Sequence, residues 1–125
     1  MQLSPALREF VTERHLAVLT TLRADGTPHS VPVGFTVGDG SVRVITAGPS
    51  VKVANARRGC RATITQLDGA RWVTFEGVAR VRDEPAVVAV AVSAYAQRYR
   101  QPKERDDRVV IEIEVDRVMC NSGLK

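Results

Sequence analysis

The chain is poor in aromatic residues, cysteine, histidine and lysine, and each shortage narrows what it can be. Only 5% of its 125 residues are Phe, Tyr or Trp, with a single Trp. Aliphatic side chains, Val above all, must therefore fill the core. A stacking platform of aromatics with basic flanks, the usual reader of single-stranded nucleic acid, is missing, as is a recognition helix. The two cysteines, Cys60 and Cys120, lie far apart, outside any CxxC pair and away from any histidine at ligand spacing. Two free thiols packed as small hydrophobes are expected. His15 and His29 are the only histidines. No two His or Cys stand at the short spacing a metal site needs, so none is expected. No GxSxG nucleophile motif is present. Long apolar runs are also absent: the longest, Ala86 to Val92, falls far short of the roughly 18 residues of a membrane span. The opening MQLSPALREF carries charge where a secretory signal would be apolar. A cytoplasmic protein without membrane association is expected.

Basic residues number 18 against 14 acidic, a net charge of +4. They are scattered rather than clustered, and nearly all are Arg, with Lys only at 52, 103 and 125. Such a charge suits a small anionic ligand at least as well as a polyanion, and nucleic acid is not expected as a partner. The length fits one domain, residues 1–125, long enough to bury a core unaided.

Along the chain, Ser4 can cap a short helix with Pro5 in its first turn, and Leu7, Phe10 and Val11 form its apolar stripe. A strand is expected over 15–22, a hairpin turn at Asp25-Gly26, and a second strand over 28–37. Pro32 cannot donate to a ladder, which puts that strand at an edge or on a bulge, and Gly34 permits a close approach by backbone or a flat ligand. Gly38-Asp39-Gly40 turns the chain into a strand over 41–46. Ala47-Gly48-Pro49-Ser50 ends it, and a helix over 51–58 closes on Gly59. Strands over 60–67 and 71–82 flank Asp68-Gly69. A longer helix runs from about 83–85 to about 100, a polar loop spans 101–107, and a last strand over 109–119 alternates Ile111 and Ile113 with charges. Glu76, Glu112 and Glu114 fall on outward positions and read as solvated. The sum is mainly β with α: about six antiparallel strands, with three helices, in a small barrel.

One segment has the makings of a site. In TAGPSVKVANARR, residues 46–58, a strand ends, a turn follows and a helix starts. Free N–H groups there attract an anion, Ser50 adds a hydroxyl, Lys52 a charge, and Asn55 one turn on can brace the loop. The same pattern suits a capped helix with an ordinary surface lysine, and spacing alone leaves both readings open. Trp72, at a strand start, fits rim packing or a platform for a heterocycle. Tyr95, Arg98 and Tyr99 fit structure or substrate contact.

Three stretches carry a resemblance: ERHLAVLTTLRADGTPHSVPVGF, VRVITAGPSVKVANARRGCRATITQLDGARWVTFEGVARV, and AYAQRYRQP with RVVIEIEVDRV. Together they resemble the pyridoxamine 5′-phosphate oxidase-like split β-barrel proteins, and among these the coenzyme F420-dependent biliverdin reductase type. The resemblance implies an FMN-binding-like split barrel, a homodimer with cofactor at the interface, and hydride transfer from reduced F420 to a small conjugated acceptor such as a tetrapyrrole. It implies that the cofactor ring lies along Val33, Gly34 and Phe35 and their neighbours Ile45, Thr46 and Ala47. It further implies that Ser50, the Val51 N–H and Lys52 hold the phosphate, and that Asn55, Gln66 and Trp72 contribute to the pocket. The Arg-x-Val-x-Leu-Lys motif of the vitamin B6 oxidases is absent, so oxidation of vitamin B6 is not expected. An FMN-dependent oxidoreductase and a non-catalytic flavin or haem carrier are the alternatives on this fold. No protein nucleophile is needed, because the cofactor carries the chemistry.

Overall fold

The computed structural model describes residues 1–125. In chain order the elements are α1 (Pro5–Phe10), β1 (Ala17–Leu22), β2 (Pro28–Val33), β3 (Thr36–Val37), β4 (Ser41–Ala47), α2 (Val51–Arg57), β5 (Arg61–Asp68), β6 (Arg71–Arg82), α3 (Pro85–Arg98) and β7 (Arg108–Cys120), followed by a short 3-10 turn, Ser122–Leu124. The strands form one seven-stranded sheet in the order β2-β1-β5-β6-β7-β4-β3, and every pairing is antiparallel.

Local chemistry explains most of these boundaries. Ser4 Oγ accepts from Leu7 N at 3.0 Å and starts α1. Asp25 accepts from Thr27 N at 3.0 Å and fixes the first hairpin. Gly59, at φ 74°, carries the chain out of α2 in a conformation that a side chain would strain.

Two expectations are corrected. The strand expected over 28–37 is two strands, because Gly34 and Phe35 leave the ladder between β2 and β3, and the sheet has seven strands rather than about six. Pro32 does lie on an edge strand, β2, where its missing N–H costs nothing. The bulge lies elsewhere, between Glu76 and Gly77 on β6. Glu112 is also not solvated: it is only 4% exposed, under the side chains of Arg43, Arg80 and Arg82. Glu114 is exposed as expected, and Glu76 is half-buried beside Arg61.

The sheet curls around a core of Phe10, Leu19, Phe35, Val44, Ile64, Phe75, Ile111 and Ile113. Burying each of these large side chains contributes roughly 1.5–3 kcal/mol. Phe35 and Phe75 meet edge to face at 6.0 Å. Val53 and Ala56 dock α2 on this core, whereas α3 buries only Ala91 and lies over β3, β4 and β7. The two edge strands, β2 and β3, are consecutive in the chain, so the curled sheet is split where Gly34 and Phe35 connect them.

Candidate functional site

A groove of about 270 Å³ opens at this split. One wall is the end of β2 with Pro32, Val33 and Gly34; the other is the end of β4 with Ile45, Thr46 and Ala47. Lys52 reaches in from α2, Tyr95 from α3, and Pro102, Arg105 and Arg108 from the segment leading into β7. Curling of the sheet joins the two walls, since β2 and β4 are not neighbours in it. Six expected residues thus line one groove: Val33, Gly34, Ile45, Thr46, Ala47 and Lys52.

Lys52, Arg105 and Arg108 make one end of the groove cationic. Burial alone pushes the Lys52 ammonium below its ordinary pKa, and no carboxylate offsets it. Ser50 stands at the N-cap of α2, but its side chain makes no capping bond, and its Oγ is buried without a hydrogen-bond partner. A buried hydroxyl in that state is costly unless something supplies the missing bond. Arg105 pairs with Asp107 at 2.8 Å, and Arg108 donates to the Lys103 carbonyl at 2.7 Å. A main-chain bond from Gly48 N to Asp107 O, 2.7 Å, straps this segment to the turn before α2.

The remaining expected residues, Ser50 among them, are not part of the groove lining in the single chain. Phe35 is fully buried beneath it, and Val51 is exposed at the start of α2. Asn55 is only 2% exposed; it donates to Thr21 Oγ1 at 3.0 Å and accepts from Arg58 at 2.5 Å, so it braces α2 against β1. Gln66 is equally interior, donating to the Phe10 carbonyl at 2.9 Å and accepting from Arg98. Trp72 is 38% exposed on the outer sheet face, and its main-chain N–H donates to Asn121 Oδ1 at 2.8 Å.

What approaches Gly34 is protein. A Cβ there would lie 2.9 Å from the Tyr95 ring and 3.0 Å from the Tyr99 ring. Sequence reasoning missed Pro102, Arg105 and Arg108 because the polar loop carries no local signal of where it folds back. Tyr95, for which the sequence favours a structural role over substrate contact, lines the groove.

Two other features compete for attention. A larger hollow, about 570 Å³, lies between α1, β3 and α3, and none of the expected cofactor residues lines it. Glu13, His15 and Asp68 converge as metal ligands would, but Arg71 already sits on both carboxylates, at 2.9 Å from Glu13 and 2.6 Å from Asp68. Those bonds draw the Glu13 carboxyl down to about 2, with His15 adding to the effect.

The groove combines the apolar Pro32, Val33, Ile45 and Ala47 with the cationic Lys52, Arg105 and Arg108, and the orphaned Ser50 hydroxyl lies two residues before Lys52, at the N-cap of α2. A relative from Mycobacterium tuberculosis, an F420H(2)-dependent biliverdin reductase, is 48% identical over 98% of this chain and 91% of its own length. The crystal structure of a conserved hypothetical protein from the same species superposes with a TM-score of 0.81 at 28% identity, covering 94% of this chain and 83% of that one. The haem storage protein HutZ of Vibrio cholerae shares the fold alone, with a TM-score of 0.78 at 17% identity over 95% of this chain and 94% of its own. The family model described as pyridoxamine 5′-phosphate oxidase matches residues 3–120, all seven strands and the three α-helices, and the chain belongs to that family.

Proposed function

We propose that this protein is an F420-dependent reductase that transfers hydride to a small conjugated acceptor, a tetrapyrrole such as biliverdin. The observation that carries this reading is the 48% identity, over 98% of the chain, with an F420H(2)-dependent biliverdin reductase. The groove supports it independently, since its apolar walls and cationic end suit a planar ring with an anionic tail.

In this reading the cofactor supplies the hydride when bound, and the protein supplies position and exclusion of water. Lys52, the Ser50 hydroxyl and the Val51 N–H hold the phosphate. Val33, Gly34, Ile45, Thr46 and Ala47 face the ring. Phe35 supports that wall from below, while Asn55 and Gln66 serve through the side chains they brace. The whole of residues 1–125 acts as one cofactor-binding domain.

A second copy of the chain completes the site. The outer face of β1, β5, β6 and β7 presents Val18, Leu67, Trp72 and Met119, all exposed, with Leu67 at 61%. Val18, Thr65, Thr74 and Met119 form one cross-strand row, and Pro32, which pairs with Val18, belongs both to that row and to the groove. Such an uncharged row favours association. A dimer through this face brings a second wall to each groove, and Trp72 of one subunit to the pocket of the other. No helix is long and apolar enough to cross a membrane, and we place the protein in the cytoplasm.

The test is anaerobic mixing of the protein with reduced F420 and a panel of acceptors that includes biliverdin, followed by cofactor absorbance. Acceptor-dependent oxidation of the cofactor is expected. Turnover with FMN alone would make it a flavin enzyme, and tight cofactor retention without turnover would make it a carrier.

A further inference from the structure

The split in the barrel leaves main-chain groups without a strand to pair with. β2 pairs with β1 as far as Val33 opposite Ala17, and β3 resumes pairing with β4 at Thr36 opposite Arg43. Between them, the N–H and carbonyl of Phe35 lie in the interior with no ladder partner.

Two consecutive side chains at the end of α3 take that place. Tyr99 Oη accepts from Phe35 N at 3.2 Å and donates to the His15 carbonyl at 2.7 Å. Arg98 donates from Nη1 to the Phe35 carbonyl and from Nε to the Glu13 carbonyl at 3.0 Å. Its remaining nitrogen bonds Gln66 Oε1, and Gln66 is itself tied to Phe10. The guanidinium lies over the Phe35 ring at 4.6 Å and near the Tyr99 ring at 5.0 Å. Arg14 in turn holds the Tyr99 carbonyl. The bare Cα of Gly34 lets both tyrosine rings close on the segment.

We infer that Arg98 and Tyr99 are positioning residues for cofactor binding. They replace a missing strand across the split and fix the Gly34-Phe35 segment against which the ring would rest. This rests on the function proposed above. Neither side chain needs to touch the cofactor; the pair sets where the groove wall stands. Arg98 is suited to this because its rigid planar fork donates from three separate nitrogens to three acceptors, whereas a lysine's donors all radiate from one nitrogen.

Tyr99→Phe keeps the ring and removes only the hydroxyl, leaving Phe35 N–H and His15 C=O unpaired. The first measurement is amide hydrogen exchange on the cofactor-free protein. Exchange over residues 34–36 is expected to rise about tenfold, the scale of one neutral hydrogen bond, with β1 and β5 unchanged. The second is titration with F420 itself. Affinity is expected to fall about five- to tenfold, and kcat to fall with the acceptor KM unchanged. Arg98→Lys, which keeps the charge but only part of the fork, is expected to do the same and covers the case in which Tyr99→Phe does not fold.

Exchange that rises equally in β1 and β5 would make the pair an ordinary structural tie and overturn the inference. So would faster local exchange with wild-type F420 affinity and turnover. If the unaltered chain bound no F420, the proposed function would fall and the cofactor role of the pair with it. The local exchange result would still decide whether the pair pins the segment.

Discussion

Arg43 on β4 and Glu112 on β7 face each other across the ladder, with Arg43 Nε 2.8 Å from a carboxylate that is almost fully buried. Arg80 and Arg82 of β6 approach the same carboxylate at 3.3 Å each. One buried anion therefore ties together β4, β7 and β6. Glu114 on Arg80 and Glu84 on Arg82 balance the surplus positive charge at the rim.

Removing the anion leaves three guanidinium groups facing a hole. Glu112→Ala is expected to cost about 2–4 kcal/mol, toward the lower end because the arginines can turn to solvent. Glu112→Gln, which keeps the volume and one acceptor, should cost less. Urea denaturation of both variants checks this; equal stability for Glu112→Ala and the parent would mean that the carboxylate contributes nothing.

How much of this was legible depends on how local its cause is. The Asp25-Gly26 and Asp68-Gly69 turns and the Ser50-to-Gly59 bounds of α2 are set by residues next to one another, and the structure places them as the sequence implied. Glu112 alternates with Ile111 and Ile113, so its strand pattern reads outward. Its cover comes from arginines on two other strands, 69, 32 and 30 positions away in sequence for Arg43, Arg80 and Arg82. Asn55 and Gln66 are polar and look available, yet Thr21 and Phe10 claim them from afar. The break at Gly34 and Phe35 is invisible in strand propensity, because the bonds that permit it come from the far end of α3. The groove walls could be named through family resemblance, which carries long-range information that spacing does not.

Gly77 marks a second non-local constraint. A Cβ there would stand 1.8 Å from the Glu114 carbonyl oxygen and 3.1 Å from the Ile113 side chain, at the bulge where β6 and β7 change register. The nearest obstacle is the main chain of β7, so relief requires the longest strand pair to move apart. Gly77→Ala is expected to lose at least about 3 kcal/mol. A thermal melt close to that of the parent would show that the bulge can open at little cost.

Acid should weaken the contact between the α1–β1 connection and the β5–β6 turn. The Glu13 carboxyl, bonded to Arg71 and to His15, titrates at about 2 rather than its ordinary 4.5. A carboxylate held down in the folded state stabilises above its unfolded pKa, and that contribution disappears as pH falls through the folded value. Glu13→Gln removes the titration. Its melting temperature should lie below the parent's at pH 7, and the gap should close between about pH 4.5 and pH 2. A gap that stayed constant over that range would separate Glu13 from the acid response.

Lys52 gives the most direct test of the groove's polar end. Its ammonium is desolvated with no carboxylate beside it, so Lys52→Ala removes a cation that the fold does not need. Affinity for F420 is expected to weaken by about 1–3 kcal/mol, the range of a charge-assisted hydrogen bond, with the melting temperature unchanged or raised. The pH dependence gives a second signature. Because burial lowers the pKa of Lys52, its charge is lost at a lower pH than that of a surface lysine, and affinity for an anionic tail should decline over that range as pH rises. Lys52→Ala should lack that decline while keeping any slope due to the cofactor's own groups. Fluorescence titration of parent and variant across the alkaline range measures both quantities. Parallel curves of equal affinity would remove Lys52 from the proposed phosphate site and leave the orphaned Ser50 hydroxyl without the charge that makes its position intelligible.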